Sequence, residues 1–254
     1  MMKGMYSWAQ KRQTLVAGIL LLGIVVFAFI SWRILFSVRA SCADGVQNNG
    51  ERGVDCDGSC ALVCRGEALS PLVHFVRAAE TGNGVFGAVA YLENRNPTFA
   101  VRAAPFVFKL YDGANLLVAE RHGVAPVPPG QVFAIYEGGM AVKNRIPTRA
   151  TFSFTEPIRF ERVSPLPPLS LRRTHFETGA VSRLEVVAEN PSLHSLQKIR
   201  VTALLFGADG NLFAASATEI PTLRARGSVP ISFTWPRPLL EPTRIELLAS
   251  LFAS

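Results

Sequence analysis

The hydrophobic positions follow one pattern in the first forty residues and another in the remainder of the chain. Residues 13–32 carry no charge and place 20 residues between Arg12 and Arg33. At about 1.5 Å per residue, that run spans the roughly 30 Å hydrocarbon core of a bilayer. Apolar side chains occur on every face of the run, which argues against the core helix of a soluble protein. We therefore predict a transmembrane signal anchor at residues 13–36, preceded by a cytoplasmic tail at residues 1–12.

The charges around the apolar run favour a cytoplasmic N-terminus only slightly. Three basic residues precede the run and two follow it: Lys3, Lys11, Arg12, and then Arg33 and Arg39. Because positive charge is enriched on the cytoplasmic side, residues 41–254 are expected to be extracytoplasmic in a single-pass arrangement. Val38-Arg39-Ala40 resembles a signal-peptidase site, so cleavage and secretion are the alternative to an uncleaved anchor.

Beyond residue 70, short apolar runs alternate with turn signals. Val85–Leu92 and Phe106–Tyr111 are such runs, and Asp112-Gly113 and Pro128-Pro129-Gly130 are such turns. No stretch keeps a helical period over three turns. Many short strands with turns at this spacing are typical of a β-sandwich.

Two parts of this β-rich region, residues 74–149 and 175–244, repeat each other. The matching strings are His74-Phe75 with His175-Phe176, Glu80-Thr81-Gly82 with Glu177-Thr178-Gly179, Asp112-Gly113 with Asp209-Gly210, Gly130 with Gly227, and Pro147-Thr148-Arg149 with Pro242-Thr243-Arg244. A unit of about 95 residues is too long for a solenoid repeat and suits a self-contained domain. We predict a first sandwich at 70–162, a Pro-rich linker at 163–171 and a second sandwich at 172–254.

The string Phe108-Lys109-Leu110-Tyr111-Asp112 resembles the signature of the FxLYD family of bacterial and archaeal immunoglobulin-like sandwiches. An Asn-rich turn at 93–97 and Pro129-Gly130 also fit the family pattern, whereas the second copy has 205–209 (LFGAD) in place of the signature. The resemblance implies an Ig-like fold and no established enzymatic role. The predicted fold class is thus all-β, with two tandem Ig-like β-sandwich domains after one N-terminal transmembrane helix and a small disulfide-rich segment.

The strand pattern by itself assigns the signature residues a structural role. Side chains alternate between the two faces of a strand, so Phe108 and Leu110 share one face and Lys109 lies on the other. We expect the first two in the core, Lys109 in water, and Asp112-Gly113 in the turn that follows.

All four cysteines lie in the segment 41–65, at Cys42, Cys56, Cys60 and Cys64. An even number of cysteines just outside a predicted membrane span indicates two disulfides in an oxidising compartment, with all three pairings open. The spacing disfavours radical-SAM cysteines and a four-cysteine zinc site. Because the segment is rich in Gly, Asn and Asp, we expect a stalk that owes its order to cross-links rather than to a core.

The cysteine segment also resembles a motif of exported bacterial proteins, C-x-D-G-x-Q-N-x-x-E-x-G-x-D-C-G-G-x-C-x-x-C, that commonly lies next to β-sandwich repeats. The matching residues are Cys42, Asp44, Gly45, Gln47, Asn48, Glu51, Gly53, Asp55, Cys56, Gly58 and Cys60. Asp57 replaces a glycine of the motif, and the last cysteine spacing is three residues instead of two. The resemblance implies a bacterial surface protein and no biochemical activity.

Five oxygen-bearing side chains fall within 14 residues of this segment, at Asp44, Asn48, Glu51, Asp55 and Asp57. Calcium takes six to eight oxygen ligands, which flexible loops can supply, although the spacing is not that of an EF-hand. The competing interpretation is that these residues form tight turns through their own backbones. Calcium is the only cofactor that the sequence suggests, and it would make the stalk rigid.

The remaining chemistry of the sequence is sparse, and we predict no catalytic residues. Residues 65–254 hold 20 Lys and Arg against 15 Asp and Glu, but these are scattered, so no nucleic-acid partner is expected. The string Gly82–Gly87 fits G-x-G-x-x-G, yet a strand pattern rather than a helix follows it, which indicates a hairpin turn. The four histidines lack zinc-ligand spacing.

These features favour a non-catalytic, membrane-anchored extracytoplasmic protein that displays tandem Ig-like domains for adhesion, scaffolding or envelope-complex assembly. The predicted partners are the membrane, through the N-terminal helix, and other envelope or surface proteins. The alternative is a receptor module for a small ligand such as a sugar or a peptide. Trp235 is then the candidate stacking platform, against the simpler interpretation that it packs in the core.

Overall fold

The computed structural model describes residues 8–36, 41–48, 50–82, 84–142 and 145–251. Within these residues, one helix and thirteen strands follow each other: α1 (Trp8–Phe36), β1 (Leu72–Gly82), β2 (Val85–Asn94), β3 (Phe99–Tyr111), β4 (Leu117–Val127), β5 (Gln131–Ala141), β6 (Arg149–Phe154), β7 (Glu161–Arg162), β8 (Ser170–Glu177), β9 (Ser182–Glu189), β10 (Leu196–Phe206), β11 (Leu212–Leu223), β12 (Ser228–Trp235) and β13 (Arg244–Ser250). The predicted all-β fold class behind one N-terminal helix is confirmed. Residues 1–7 of the predicted tail and Val38-Arg39-Ala40 lie outside the described residues.

The helix α1 turns apolar side chains outward on all sides. Its segment Gln10–Ile34 has 25 residues and a mean hydropathy of 2.7, and none of the most apolar stretch is buried against the rest of the protein. A helix that is apolar all round needs an apolar environment, since in water it would expose Leu, Ile and Phe side chains. It is long and apolar enough to cross a membrane, as a membrane anchor or a signal sequence does.

The first sandwich packs two sheets over one core. One sheet has the strand order β1-β2-β5, and the other has β4-β3-β6 with β7 paired to the start of β3. Phe108 and Leu110 are fully buried between the sheets, together with Phe106. Lys109 lies on the outer face of β3 and forms an ion pair with Glu120 on β4 (3.5 Å). The core and surface positions predicted for the signature residues are confirmed.

The second sandwich has the same arrangement of strands. Its sheets have the orders β8-β9-β12 and β11-β10-β13, so that β8 to β13 take the places of β1 to β6. Leu184, Phe233 and Trp235 are buried in its core. Strand β8 begins at Ser170, two positions before the predicted boundary at 172, because Leu171 pairs with β9 and packs against this core.

A third hydrophobic cluster joins the two sandwiches through their sheets. It is formed by side chains of β2 and β5 on one side and of β10 and β11 on the other: Val89, Ala134, Leu204, Phe206, Leu212 and Ala215. The sheet β1-β2-β5 thus packs with one face on the first core and with the other face on the sheet β11-β10-β13. The protein body is therefore a stack of four sheets with three apolar layers between them.

Aromatic and polar contacts surround the cluster between the sandwiches. The ring of Phe75 stacks on Tyr91 (centroids 4.9 Å apart) and meets Phe206 of the second sandwich edge-on (6.5 Å). The guanidinium of Arg200 donates a hydrogen bond to the carbonyl oxygen of Tyr136 (2.6 Å) across the interface. Burial raises the pKa of the Tyr136 hydroxyl to about 12. These contacts fix the sandwiches relative to each other.

The two outermost sheet faces are polar, in contrast to the inner ones. The free face of β4-β3-β6 carries Lys109, Glu120 and His122, which form ion pairs among themselves. The free face of β8-β9-β12 includes the exposed side chains of Arg183 and Glu185. The stack therefore ends at these two sheets, because neither outer face offers a continuous apolar surface.

Truncation of Leu204 tests whether the cluster between the sandwiches is a real part of the core. Leu204 is fully buried there, so Leu204→Ala should lower the free energy of unfolding by about 2–5 kcal/mol. The matched control is Leu193→Ala, at a side chain that is 67% exposed, which should change it by less than about 0.5 kcal/mol. Urea unfolding measures both. Equal effects of the two substitutions would mean that the sandwiches do not pack as described.

Candidate functional site

Two interleaved disulfides organise the segment between the helix and the first sandwich. Cys42 pairs with Cys60, and Cys56 pairs with Cys64, so each bridge begins or ends inside the loop that the other closes. The structure thereby selects one of the three pairings that the sequence left open. Loops of this size contribute about 2–4 kcal/mol each to stability, mainly by restricting the unfolded chain.

Carboxylates take the place of a hydrophobic core in the first half of this segment. The carboxylate of Asp55 accepts hydrogen bonds from the backbone N–H groups of Asp44 (2.9 Å) and Gly45 (3.0 Å). The buried carboxylate of Glu51 accepts from the N–H groups of Asn48 (3.3 Å) and Asp55 (3.1 Å). Backbone donors that have no strand partner are satisfied in this way.

Asp44 continues the same pattern. Its carboxylate accepts hydrogen bonds from the side-chain amide of Asn48 (3.0 Å) and from the N–H group of Val46 (2.9 Å). The hydrogen bond from Asn48, followed by the one from Val46, holds the pKa of the Asp44 carboxyl below its usual range. Both contacts support the turn-forming interpretation of these residues.

Asp57 connects the cysteine segment to the first sandwich. Its carboxylate is buried and accepts a hydrogen bond from the guanidinium of Arg162 on β7 (2.8 Å). This hydrogen bond is the main reason that the pKa of the Asp57 carboxyl lies below its usual range. Asp57, which departs from the exported-protein motif, therefore holds the segment to the sandwich.

Backbone pairing docks the second half of the segment on the same sandwich. The N–H group of Val63 donates to the carbonyl of Phe160 (2.8 Å), and that of Arg162 donates to the carbonyl of Ala61 (2.6 Å). Val63 is buried in the first core. The expectation that this segment owes its order to cross-links alone is therefore wrong, since the segment also uses the core and the edge of the neighbouring sandwich.

Two asparagines extend this connection. The side-chain amide of Asn96 forms two hydrogen bonds with the backbone of Leu69. Its nitrogen donates to the carbonyl oxygen of Leu69 (2.7 Å), and its oxygen accepts from the N–H group of Leu69 (2.8 Å). Asn94 is fully buried and donates to the carbonyls of Phe99 and Pro128. The Asn-rich turn was visible in the sequence, but its role in holding the chain before β1 was not.

The structure brings one group of metal-ligating atom types together among the residues it describes. The sulfur atoms of Cys42 and Cys60 and a carboxylate oxygen of Glu51 lie within 4.8 Å of one another. Both sulfurs belong to one disulfide and offer no thiolate. Of the five candidate calcium ligands, Asp57 is turned toward Arg162 and the other four bond to the loop itself. Calcium binding stays the untested alternative to the turn-forming interpretation.

Trp235 lies in the core of the second sandwich and is 1% exposed. Its indole N–H donates to the carbonyl oxygen of Ala215 (3.0 Å). It therefore cannot serve as a stacking platform for a sugar. Among the described residues after α1, every Phe, Tyr and Trp is at least partly buried.

The glycine string at the end of β1 is a hairpin turn, as predicted. β1 ends at Gly82, β2 begins at Val85, and the two strands pair antiparallel across the turn. Gly84 adopts a positive φ of 72°, which favours glycine in such turns. Asn83 lies outside the described residues.

The comparisons with known proteins assign no family to the chain. No protein-family model matches it, and no curated protein matches it. Among solved structures it is similar to a crystal structure of red sea bream transglutaminase, at 14% identity over 69% of this chain and 29% of that chain. The TM-score is 0.22, so this similarity carries no argument about fold or function.

Alanine at Gly58 should disrupt the cysteine segment. Gly58 has φ of 62°, and a Cβ there would lie 2.0 Å from the carbonyl oxygen of Gly50. The matched control is Gly45, which has φ of 72° and open space around its Cβ position. Gly45→Ala should cost only the left-handed strain of about 1–2 kcal/mol, whereas Gly58→Ala must displace backbone. We expect free thiols after oxidative refolding for Gly58→Ala alone. Equal thiol counts in the two variants would contradict the described loop.

Calorimetry on the whole chain tests the calcium interpretation. We expect no saturable heat at millimolar calcium, because the carboxylates of Asp44, Glu51 and Asp55 already accept backbone hydrogen bonds. A saturable heat that disappears in Asp55→Ala would establish a calcium site. Asp209→Ala is the control, since Asp209 accepts an equivalent backbone hydrogen bond from Asn211 in a turn of the second sandwich.

Proposed function

We propose that the chain is a non-catalytic, membrane-anchored protein that presents two tandem Ig-like sandwiches outside the cytoplasm for adhesion, scaffolding or the assembly of envelope complexes. The observation that carries this proposal is the combination of one outward-facing apolar helix with a disulfide-bonded segment and an all-β body. The helix supplies attachment, and the disulfides indicate an oxidising compartment.

The same two features support the proposed orientation. Disulfides persist outside the reducing cytosol, so the cysteine segment and everything docked on it belong on the exported side. In the proposed arrangement the helix enters the membrane from a cytoplasmic N-terminus, in agreement with Lys11 and Arg12 near its start. The uncleaved anchor is favoured over secretion because Trp32 and Arg33 interrupt the approach to the candidate cleavage site Val38-Arg39-Ala40.

The sandwiches are proposed to descend from one duplicated module. The repeated strings in the sequence and the common strand order of the two halves support this origin. Asn94 and Asn190 add to it, because each is buried at the same place in its half and donates to the carbonyls of neighbouring loops. Membership of the FxLYD family and of the exported-motif group belongs to the same proposal.

A scaffold or adhesive role fits the body better than catalysis does. The two histidine–carboxylate pairs, His74 with Glu93 and His122 with Glu120, lie exposed on sheet surfaces, where water screens them. The rival hypothesis of a sugar receptor loses its stacking platform, since Trp235 is buried. The feature of the body that a partner protein could use is its outer surface, which the packing of the two sandwiches holds in a fixed shape.

An inserted protease site tests the placement. The site is introduced in the exposed turn Asp209-Gly210, and in a second chain before Trp8, where α1 begins. In spheroplasts of an expressing bacterium, we expect added protease to cut the first chain and to leave the second intact until the membrane is broken. Cutting of the Asp209-Gly210 site only after membrane breakage would overturn the extracytoplasmic placement.

A further inference from the structure

A cleft lies at the joint between the cysteine segment and the first sandwich. Its volume is about 730 Å³. One wall comes from the cysteine segment and the other from the chain just before β7. Its apolar lining includes Val54, Leu62, Val63, Ile158 and Phe160. A cleft of this size holds a small ligand or part of a larger amphiphilic one.

Two arginines give this apolar cleft a positive charge. Arg65 lines one wall and Arg159 the other, and both side chains are exposed. Neither forms an ion pair with a described carboxylate, in contrast to Arg52 and Arg162 nearby. Asp55 also lines the cleft, and its carboxylate accepts the N–H groups of the neighbouring loop, so the lining holds two cations against one anion and keeps a net positive charge. Two guanidinium groups are thus free to bind phosphate oxygens.

The disulfide Cys42–Cys60 keeps the cleft close to the end of the helix. Along the chain, Leu62 follows Phe36 by 26 positions. The path through the disulfide is shorter. It runs six positions from Phe36 to Cys42, crosses 5.6 Å between the Cα atoms of Cys42 and Cys60, and continues two positions to Leu62. Eight residues extend to about 28 Å at most, and the 5.6 Å across the disulfide brings the longest possible path to roughly 34 Å. The cleft is therefore within reach of the headgroup layer in which the helix would end.

We propose that this cleft binds the headgroup of an anionic phospholipid, with Arg65 and Arg159 on the phosphate and the apolar wall on the glycerol and upper acyl region. The proposal rests on the membrane anchoring proposed above. It gives the anchored body a second attachment to the bilayer, which would set its tilt at the membrane surface. A zwitterionic lipid lacks the net charge that two unpaired guanidinium groups select.

Hydrogen exchange on the full chain in lipid nanodiscs tests this binding. In discs that contain phosphatidylglycerol, amides of residues 62–66 and 158–160 should exchange more slowly than in pure phosphatidylcholine discs. In Arg65→Gln/Arg159→Gln, the phosphatidylglycerol fraction needed for half of this protection should rise about tenfold or more. The matched control is Arg224→Gln/Arg226→Gln, two exposed arginines of the second sandwich, which should leave it unchanged.

The outcomes separate the cleft from the anchor. Absence of slowing in anionic discs, or equal slowing in the Arg65→Gln/Arg159→Gln variant, overturns the cleft proposal while the anchor stands. Full protection by soluble glycerol phosphate in phosphatidylcholine discs overturns the lipid in favour of a free phosphate ligand. A chain that does not co-elute with the discs overturns the anchor, and the cleft proposal fails with it.

Discussion

The sheet-on-sheet contact between the sandwiches is the interaction on which the rest of the body depends. Two tandem domains joined by a short linker commonly move relative to each other, because interfaces within a chain are small and polar. Here the interface is apolar, and its central residues Val89 and Leu204 are as buried as those of either core. It joins non-equivalent sheets, β1-β2-β5 of the first half and β11-β10-β13 of the second. If both halves arose from one module, each sandwich has become apolar on one of its two outer sheet faces and has kept the other face polar. Because only one face of each sandwich is apolar, the stack contains two sandwiches and no more.

The cysteine segment depends on a different kind of interaction. It has too few apolar residues for a core, so carboxylates satisfy its backbone donors and disulfides restrict its unfolded states. Its attachment to the sandwich then needs only a short stretch of backbone pairing at residues 61–63, one buried side chain in Val63, and the ion pair between Asp57 and Arg162. Asn96 binds the backbone of Leu69 and so holds the stretch between the cysteine segment and β1. These contacts hold the stretch from Asp57 to Leu69 against the first sandwich.

The alternation of apolar residues was sufficient to predict the strands and the core positions of Phe108 and Leu110. The contact between the sandwiches was not predicted, although the sequence carried a signal for it. Residues 85–92 (VFGAVAYL) form a continuous apolar run, and such a run indicates a strand that is buried on both faces. The partner of each face could not be deduced, since that depends on how two sheets meet in space. The ion pair of Asp57 and Arg162 was equally inaccessible, because 105 positions separate the two residues and nothing in the sequence marks Arg162 as the partner of Asp57.

A rigid body favours a function that depends on fixed distance. Strand β1 has 11 residues, and at about 3.3 Å per residue it extends for roughly 36 Å. It runs from the end of the sandwich that carries the cysteine segment to a far end where Gly82 lies close to Pro236 of the second sandwich. Loops of both sandwiches therefore share that far end, at a height set by strand length and not by a flexible linker. Under the proposed scaffold function, this arrangement would hold a partner at a defined distance from the membrane, and the proposed lipid contact of the arginine cleft would fix the direction of the body as well.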